Sequence, residues 1–437
     1  TLRDTINTER SVREQAEAEL KARLNQVRSL LTSTSWRVTA PLRHAVSLAR
    51  TGKMAPTTAS LVAELNTLLT APEADTALAG LASEDLRKQA HARVRHVKAR
   101  LLEHGFRERA LADFEALAST PDDPYLRALA SWELAVWHAN QAEPGHAAHC
   151  LRFLTAAASM ELPEVTAQRI AILKAESLAL TGAADEARAV LEGMTAQLGD
   201  ADLYLCLSRL EDSLEAKTAL INKALGLRGV APVAFTAGGA TPYDRLFAEV
   251  EPEEECPLTV TVIVPAYNAQ AMLETTLRSL AAQSWTNLEI LVADDCSTDG
   301  TAALVEAFSR RDPRVRLVPG KANSGPYVAR NLALMEARGY FVTCNDSDDW
   351  SHPEKIARQV RHLLANPSVI ANTSQQARAH EDMRFSRRGN PGFYIQPNMS
   401  SLMFRREMVV ERIGYWDSVR FGADSEYTRR IKRAFGD

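Results

Sequence analysis

Apolar positions follow three successive patterns along this chain. Residues 1–33 are polar and helix-favouring, without Gly or Pro. Ile6, Leu20 and Val27 share one heptad position, Leu24 and Leu31 another, and Arg10, Arg13 and Glu17 interrupt the stripe. The spacing predicts a short coiled coil, strongest over 20–31. From about 58 to 228, Ala, Leu, Glu and Arg dominate and helix follows helix, with helices expected at 108–117, 147–154 and 185–191. The glycines before them, Gly105, Gly145 and Gly182, stand 40 and 37 residues apart (145 − 105 and 182 − 145), close to helical-hairpin spacing. An irregular helical bundle is the alternative. After Pro257 the pattern changes again. A continuous β-branched run at 259–264, strands at 288–293 and 315–318, and a run ending at Cys344 alternate with helical spacing at 269–283, 301–308, 326–337, 352–365 and 425–434. Continuous, largely apolar strands alternating with helices imply a largely parallel sheet covered on both faces.

These changes divide the chain into a helical segment at 1–33, a basic linker at 34–57, a helical domain at 58–228, a linker at 229–256 and an α/β domain at 257–437. The second linker carries Gly238, Gly239, Pro242, an acidic run at 251–255 and one short helix expected over 243–250. At 437 residues, two or three domains are expected. The chain is 46% hydrophobic and 24% charged with a net charge of −4, which gives nucleic acid no place as a bulk partner. Five cysteines without CxxC spacing suit a reducing, cytoplasmic setting. No run of 18 apolar residues occurs. Thr1 is not an initiator methionine, and a piece of a longer protein is expected. Residues 20–53 hold seven Lys or Arg and no acid, with Trp36 among them. Such a segment suits an anionic membrane face or an acidic partner, against the plainer reading of a solvated helix end and linker.

In parallel sheets, ligands bind beyond the carboxyl ends of the strands. There this chain places Pro265, Tyr267 and Asn268 after the first strand, Asp294, Asp295 and Asp299 after the second, and Asp346, Asp348 and Asp349 after the run ending at Cys344. Three carboxylates at a strand end repel one another and lose solvation, a cost borne where a cation or ligand is held. Asp346 and Asp348, two apart on an extended segment, can share one hard metal ion through oxygen.

The residues that follow carry a resemblance. Val260 to Asn268, the Asp-Asp-x-Ser-Thr-Asp-Gly-Thr pattern from Asp294 to Thr301, Asn323 and Gly325 with Ala329, Arg330 and Asn331, the Asp-Ser-Asp-Asp run from Asp346, and Gly422 to Glu426 stand in the order found in inverting family 2 glycosyltransferases. From about residue 257 the chain resembles that family, which implies the GT-A fold, Rossmann-like with a mostly parallel sheet. Ala-Asp-Glu-Ala at 184–187 resembles the second helix of a tetratricopeptide unit, and the segment from Trp36 to Arg43 resembles one found in bacterial polysaccharide-assembly proteins. Carried over, the family implies that Pro265 and Tyr267 line the base pocket and that Asp295 accepts a pyrimidine ring N–H. It implies that Arg330 faces the nucleotide, that Asp346 contacts ribose or metal shell, and that Asp348, in the DXD motif, coordinates Mg²⁺ or Mn²⁺. Asp424, placed just ahead of the last helix, is implied as the general base for the acceptor hydroxyl. Cys296 stands where the family commonly has Gly, and Ala423 where Glu is frequent. Only 13 residues follow Asp424.

Plainer roles stand beside these. Asp299 suits a turn and helix cap, Asp294 a loop brace, Asp349 a cap, Tyr267 core packing and Arg330 a structural ion pair. Glu426 suits either the acceptor or a brace for Arg429 or Arg430. Trp350 and Trp416 suit acceptor platforms or core packing equally, and His352 and His380 have no ligand spacing. The expected activity is metal-dependent, inverting transfer from a nucleotide sugar to a hydroxyl of a glycan or lipid-linked glycan, in bacterial surface-polysaccharide or glycoconjugate assembly. The N-terminal helices would organise partners, form a homo-oligomer, or hold the protein peripherally at the inner membrane face. The competing expectation is a helical-repeat scaffold with a degenerate transferase domain that only binds donor. A nucleotidyltransferase of related topology lacks support, because no Gly-rich, Lys-bearing phosphate loop follows the first strand.

Overall fold

The computed structural model describes residues 74–160, 162, 166–387 and 391–436. The expected coiled coil and the basic segment, residues 1–57, lie outside the described residues. The chain divides into two compact units: residues up to His138 with those from His149 to Val165, and Ala139–Ala148 with Thr166 onward.

The first unit is helical, with α1 (Ala74–Leu102), α2 (Arg107–Ala118) and most of α3 (Pro124–Ala139) and α4 (Pro144–Ala157). Phe114 on α2 and Leu126, Leu129 and Trp132 on α3 are buried, and Lys98 on α1 reaches Glu133 on α3 at 2.9 Å. From Thr166 onward the second unit has α5 (Ala167–Leu180), α6 (Ala184–Leu198), α7 (Ala201–Ser208) and α8 (Leu214–Leu227), each packed on the next. Their starts follow the side chains that can cap them. Thr166, Asp200 and Ser213 accept the N–H groups of Arg169, Asp202 and Ala216, donors a helix leaves unpaired in its first turn.

The helix expected over 243–250 is a single turn, α9 (Pro242–Arg245), between the two-residue strands β1 (Ala234–Phe235) and β2 (Leu246–Phe247). Thr241 and Asp244 form a capping box that starts it. Pairing of Phe235 with Leu246 and of Ala234 with Phe247 ends it, because those residues are already committed to a ladder.

The α/β region has β3 (Val260–Ala266), α10 (Leu273–Ala281), β4 (Leu288–Asp294), α11 (Thr301–Ser309), β5 (Val315–Pro319), α12 (Pro326–Glu336), β6 (Phe341–Cys344) and α13 (Lys355–Ala365). After these come β7 (Ala371–Asn372), β8 (Gln375–Ala379), β9 (Phe385–Ser386), β10 (Ile395–Pro397), a 3₁₀ turn (Met399–Ser401), β11 (Met403–Arg405), α14 (Arg406–Ile413) and α15 (Ala423–Phe435). Six strands form one sheet in the order β5-β4-β3-β6-β11-β7. The first four are mutually parallel, and β11 runs antiparallel to both its neighbours. This is the GT-A-like α/β arrangement that the sequence implied, joined to an N-terminal region of many helices.

Alternation along β3 explains its unbroken apolar run. Val260, Val262 and Val264 face Leu273, Leu277 and Leu280 of α10 and Ile356, Val360 and Leu363 of α13. Ile263 faces the opposite layer, where Ala329 and Ala333 of α12, Val409 of α14 and Tyr427 and Ile431 of α15 pack. A strand covered on both faces favours apolar side chains, and its one buried hydroxyl, on Thr261, is satisfied by Glu289 at 2.7 Å. From β3 the chain lays β4 and β5 to one side and then returns to place β6 on the other. The order therefore reverses at β3, and such a reversal opens a crevice beyond the strand ends.

Candidate active site

The loop after β4 is braced from within. Pro265 is buried inside β3, opposite Ala293, and the Tyr267 ring beyond it is 50% exposed. Asn268 and Cys296 adopt left-handed backbone with φ of 48° and 64°. Asn268 tolerates this conformation well, whereas Cys296 carries a Cβ penalty that Gly would not, which explains in physical terms why Gly suits this position. The two loops interlock: Asn268 N–H donates to Ser297 Oγ at 2.9 Å, and Thr298 N–H donates to Asn268 Oδ1 at 2.8 Å. Asp294 accepts Ser297 N–H, the bracing role. Asp295 is 5% exposed, and its two oxygens accept the N–H groups of Ser324 and Gly325, each at 2.8 Å. Gly325, at φ +96°, is where α12 begins, a conformation that L side chains rarely adopt.

The three acids after β6 meet α12 and α15. Arg330, 3% exposed, donates from Nη2 to Asp346 Oδ1 at 2.7 Å and from Nη1 to Asp424 Oδ1 at 2.5 Å. Tyr327, one turn earlier on α12, donates to Asp424 Oδ2 at 2.9 Å, and Ser400 Oγ donates to Asp346 Oδ2 at 2.7 Å. Asp424 lies within the first turn of α15 rather than ahead of it. The left-handed Gly422 at φ +82° sets the helix start one residue earlier than Asp424 alone would suggest. The Asp348 carboxylate is exposed, while its backbone carbonyl accepts the Tyr243 hydroxyl at 2.7 Å.

Charge is unevenly balanced here. Burial, with Asp346 and Asp348 nearby, pushes the Asp349 carboxyl up to about 6. Burial also pulls the Lys355 ammonium down to about 8, against the pull of Asp349 and Asp346. Lys355 Nζ donates to Asn345 Oδ1 at 2.9 Å and Ser351 Oγ at 3.0 Å. For Arg330, burial opposes the charge, but Cys344, Asp346 and Asp424 outweigh it and hold the guanidinium above its ordinary value.

The fold therefore brings Asp346, Arg330 and Asp424 into direct contact and places Asp348 two residues along the same turn. Pro265, Tyr267 and Asp295 stand at the neighbouring ends of β3 and β4. Asp299 caps α11 through Thr301 N–H at 3.0 Å, and Glu426 braces Arg430 at 2.6 Å. Trp416 is buried and stacks on Tyr427, Trp350 meets His352 edge-on, and His380 stands exposed in the turn between β8 and β9. Sequence reasoning passed over Tyr327, Ser400, Lys355 and Tyr243. For Tyr327 a signal existed, since it precedes Arg330 by three on one helix face. For Ser400 and Tyr243 none did, because both reach the turn from distant segments.

Residues 261–424 match the family model described as Glycosyl transferase family 2. "Putative teichuronic acid biosynthesis glycosyltransferase TuaG" of Bacillus subtilis is 36% identical over 122 residues, 28% of this chain and 48% of that protein. "Succinoglycan biosynthesis protein ExoO" of Rhizobium meliloti is 40% identical over 112 residues, 26% of this chain and 32% of that one. This chain thus spans about half or less of the length of these curated relatives. Among solved structures, TarS residues 1–349 of S. aureus in complex with UDP-GlcNAc aligns at a TM-score of 0.33 and 24% identity, over 41% of this chain and 53% of that one. By its match to that family model, in keeping with its motifs, the segment 261–424 is a glycosyl transferase family 2 domain.

Proposed function

We propose that the chain is a metal-dependent, inverting glycosyltransferase that moves a sugar from a nucleotide-sugar donor to a hydroxyl acceptor in building a bacterial surface polysaccharide or glycoconjugate. The observation that carries this reading is the contact of Arg330 with both Asp346 and Asp424, at the crevice where the strand order reverses. It ties an acid beside the donor's phosphates to an acid able to take a proton from the acceptor. The names of the teichuronic acid and succinoglycan relatives favour polysaccharide assembly.

The residues fit a hard divalent cation, Mg²⁺ or Mn²⁺. Asp346 and Asp348 offer carboxylate oxygens, and the raised Asp349 marks an acid excess that a cation would relieve. Among the described residues no group of three or more His, Cys, Asp or Glu is placed to hold a metal. Two carboxylates plus donor phosphates and water suit Mg²⁺-like coordination. Such an ion, when bound, neutralises charge on the departing nucleoside diphosphate. The chain's own residues do the rest. Tyr267 presents an exposed ring face to the base, Pro265 shapes the pocket floor, and Asp295 offers an acceptor for a pyrimidine N–H. Asp424 takes the proton of the attacking hydroxyl as it approaches the anomeric carbon from the side opposite the phosphate.

The acceptor is read as a glycan or lipid-linked glycan. The N-terminal helices are read as the part that oligomerises or holds the protein at the inner face of the membrane. Among the described residues no helix is long and apolar enough to cross a membrane. The test is a panel of nucleotide sugars screened by thermal shift and turnover with Mn²⁺ present. Donor-dependent stabilisation and turnover, abolished by chelation and by Asp348→Ala, are expected. Absence of donor binding by the full chain would overturn the reading.

A further inference from the structure

The acidic turn is held from its outer side by two hydroxyls that the family segment alone does not supply together. Thr276 Oγ1, on α10, donates to the Ser347 carbonyl at 2.9 Å. Tyr243 donates its hydroxyl to the Asp348 carbonyl at 2.7 Å. Tyr243 lies on α9, ahead of the matched segment 261–424. The strap that carries it is itself fixed. Asp244 accepts Thr275 Oγ1 at 3.1 Å, its carbonyl accepts Arg278 Nη2 at 2.5 Å, and Thr241 and Asp244 close a capping box around the turn. On its other side, Tyr243 N–H donates to the carbonyl of Glu381, in the turn between β8 and β9. The strap thus spans from the acidic turn to the small sheet of β8, β9 and β10.

Asp348 needs this support. Its carboxylate is exposed and makes no hydrogen bond or ion pair among the described residues, so only its backbone fixes its direction. A carboxylate aimed by backbone alone loses affinity for its ligand when that backbone swings by even an ångström. We propose that Tyr243 is a positioning residue that aims Asp348 at a divalent cation, so that the segment preceding the family domain completes the metal-binding half of the site. This rests on the reading of Asp346 and Asp348 as the cation's ligands.

The test uses the full chain with Mn²⁺ and UDP as probes. Free Mn²⁺ is followed by electron paramagnetic resonance, so no turnover is required. Tyr243→Phe removes the hydroxyl and keeps the ring, and Thr276→Val does the same for the second donor. Each is expected to weaken Mn²⁺ binding about fivefold, the effect of one typical hydrogen bond. UDP affinity measured without Mn²⁺ should stay unchanged, whereas a merely structural loss would weaken UDP and Mn²⁺ binding together. Unchanged Mn²⁺ affinity in Tyr243→Phe, whatever Thr276→Val shows, with Asp348→Ala abolishing binding, overturns the role of Tyr243 and leaves the metal reading standing. No Mn²⁺ binding by the wild-type chain overturns both.

Discussion

Arg330 Nη1 lies 2.5 Å from Asp424 Oδ1, a pairing between α12 and the first turn of α15 that spans 94 residues of chain. The other arm of the same guanidinium holds Asp346. One permanent, forked cation therefore fixes the distance between the two acids, a task for which a lysine's compact ammonium is poorly shaped.

Arg330→Lys keeps the charge but cannot reach both acids with parallel bonds. Turnover is expected to fall at least about tenfold. Arg330→Met leaves two carboxylates without their shared partner. Both acids are partly solvated, with side chains 36% and 21% exposed, so the stability loss should be about 1–3 kcal/mol rather than the full cost of breaking a buried pair. Urea unfolding measures it. A loss within experimental error would show that the pairing carries no stability.

Asp424→Asn keeps the shape of the side chain and removes its capacity to take a proton. Turnover is expected to fall by about 10²- to 10⁴-fold, with donor affinity nearly unchanged. Titration with donor in the absence of acceptor checks the second half. If donor affinity fell in parallel with turnover, Asp424 would be a donor-site residue and not the base.

Lys355 gives a pH signature. Its ammonium titrates near 8 in the folded chain, below the ordinary 10.5, so between these values the unfolded chain binds more protons than the folded one. Stability contributed by this site therefore rises with pH across that window, and below about 8 the buried charge is a net cost. Relative to Lys355→Met, wild-type stability measured with chelator present should increase by about 2 kcal/mol from pH 7.5 to pH 10. A flat difference between the two proteins would contradict it.

Cys296 is exposed and left-handed, so Cys296→Gly removes a Cβ conflict without opening a cavity. Stability is expected to rise by about 1 kcal/mol, partly offset by the greater freedom of Gly in the unfolded chain. Chemical denaturation of the two proteins side by side decides it.

Much of the α/β region was legible because its strands are predominantly apolar on both faces and its helices keep a 3.6-residue period. Elements expected at 288–293 and 326–337 appear at Leu288–Asp294 and Pro326–Glu336. The stretch 371–400 was not legible. Its strands are two to five residues long and mostly half-buried, so neither alternation nor a continuous run could develop. Asp202 on α7 shows what holds that stretch instead. Its Oδ1 accepts the N–H groups of Tyr394 and Ile395, while Glu176 on α5 takes the Tyr394 hydroxyl and Arg387. These bonds join residues 192 to 218 positions apart, and no local pattern encodes them.

By itself, the sequence determined the parallel sheet, the rim on which acids collect and the identity of those acids. Each is set by side chains within a few residues of one another, through periodicity and strand-end position. Only the tertiary structure decided that Arg330 joins Asp346 to Asp424, that Ser400 and Tyr243 brace the acidic turn, and that Asp295 spends two lone pairs on the Ser324 and Gly325 amides. Those relations depend on the sheet order and the crossing of helices, which bring together groups that local spacing leaves unrelated.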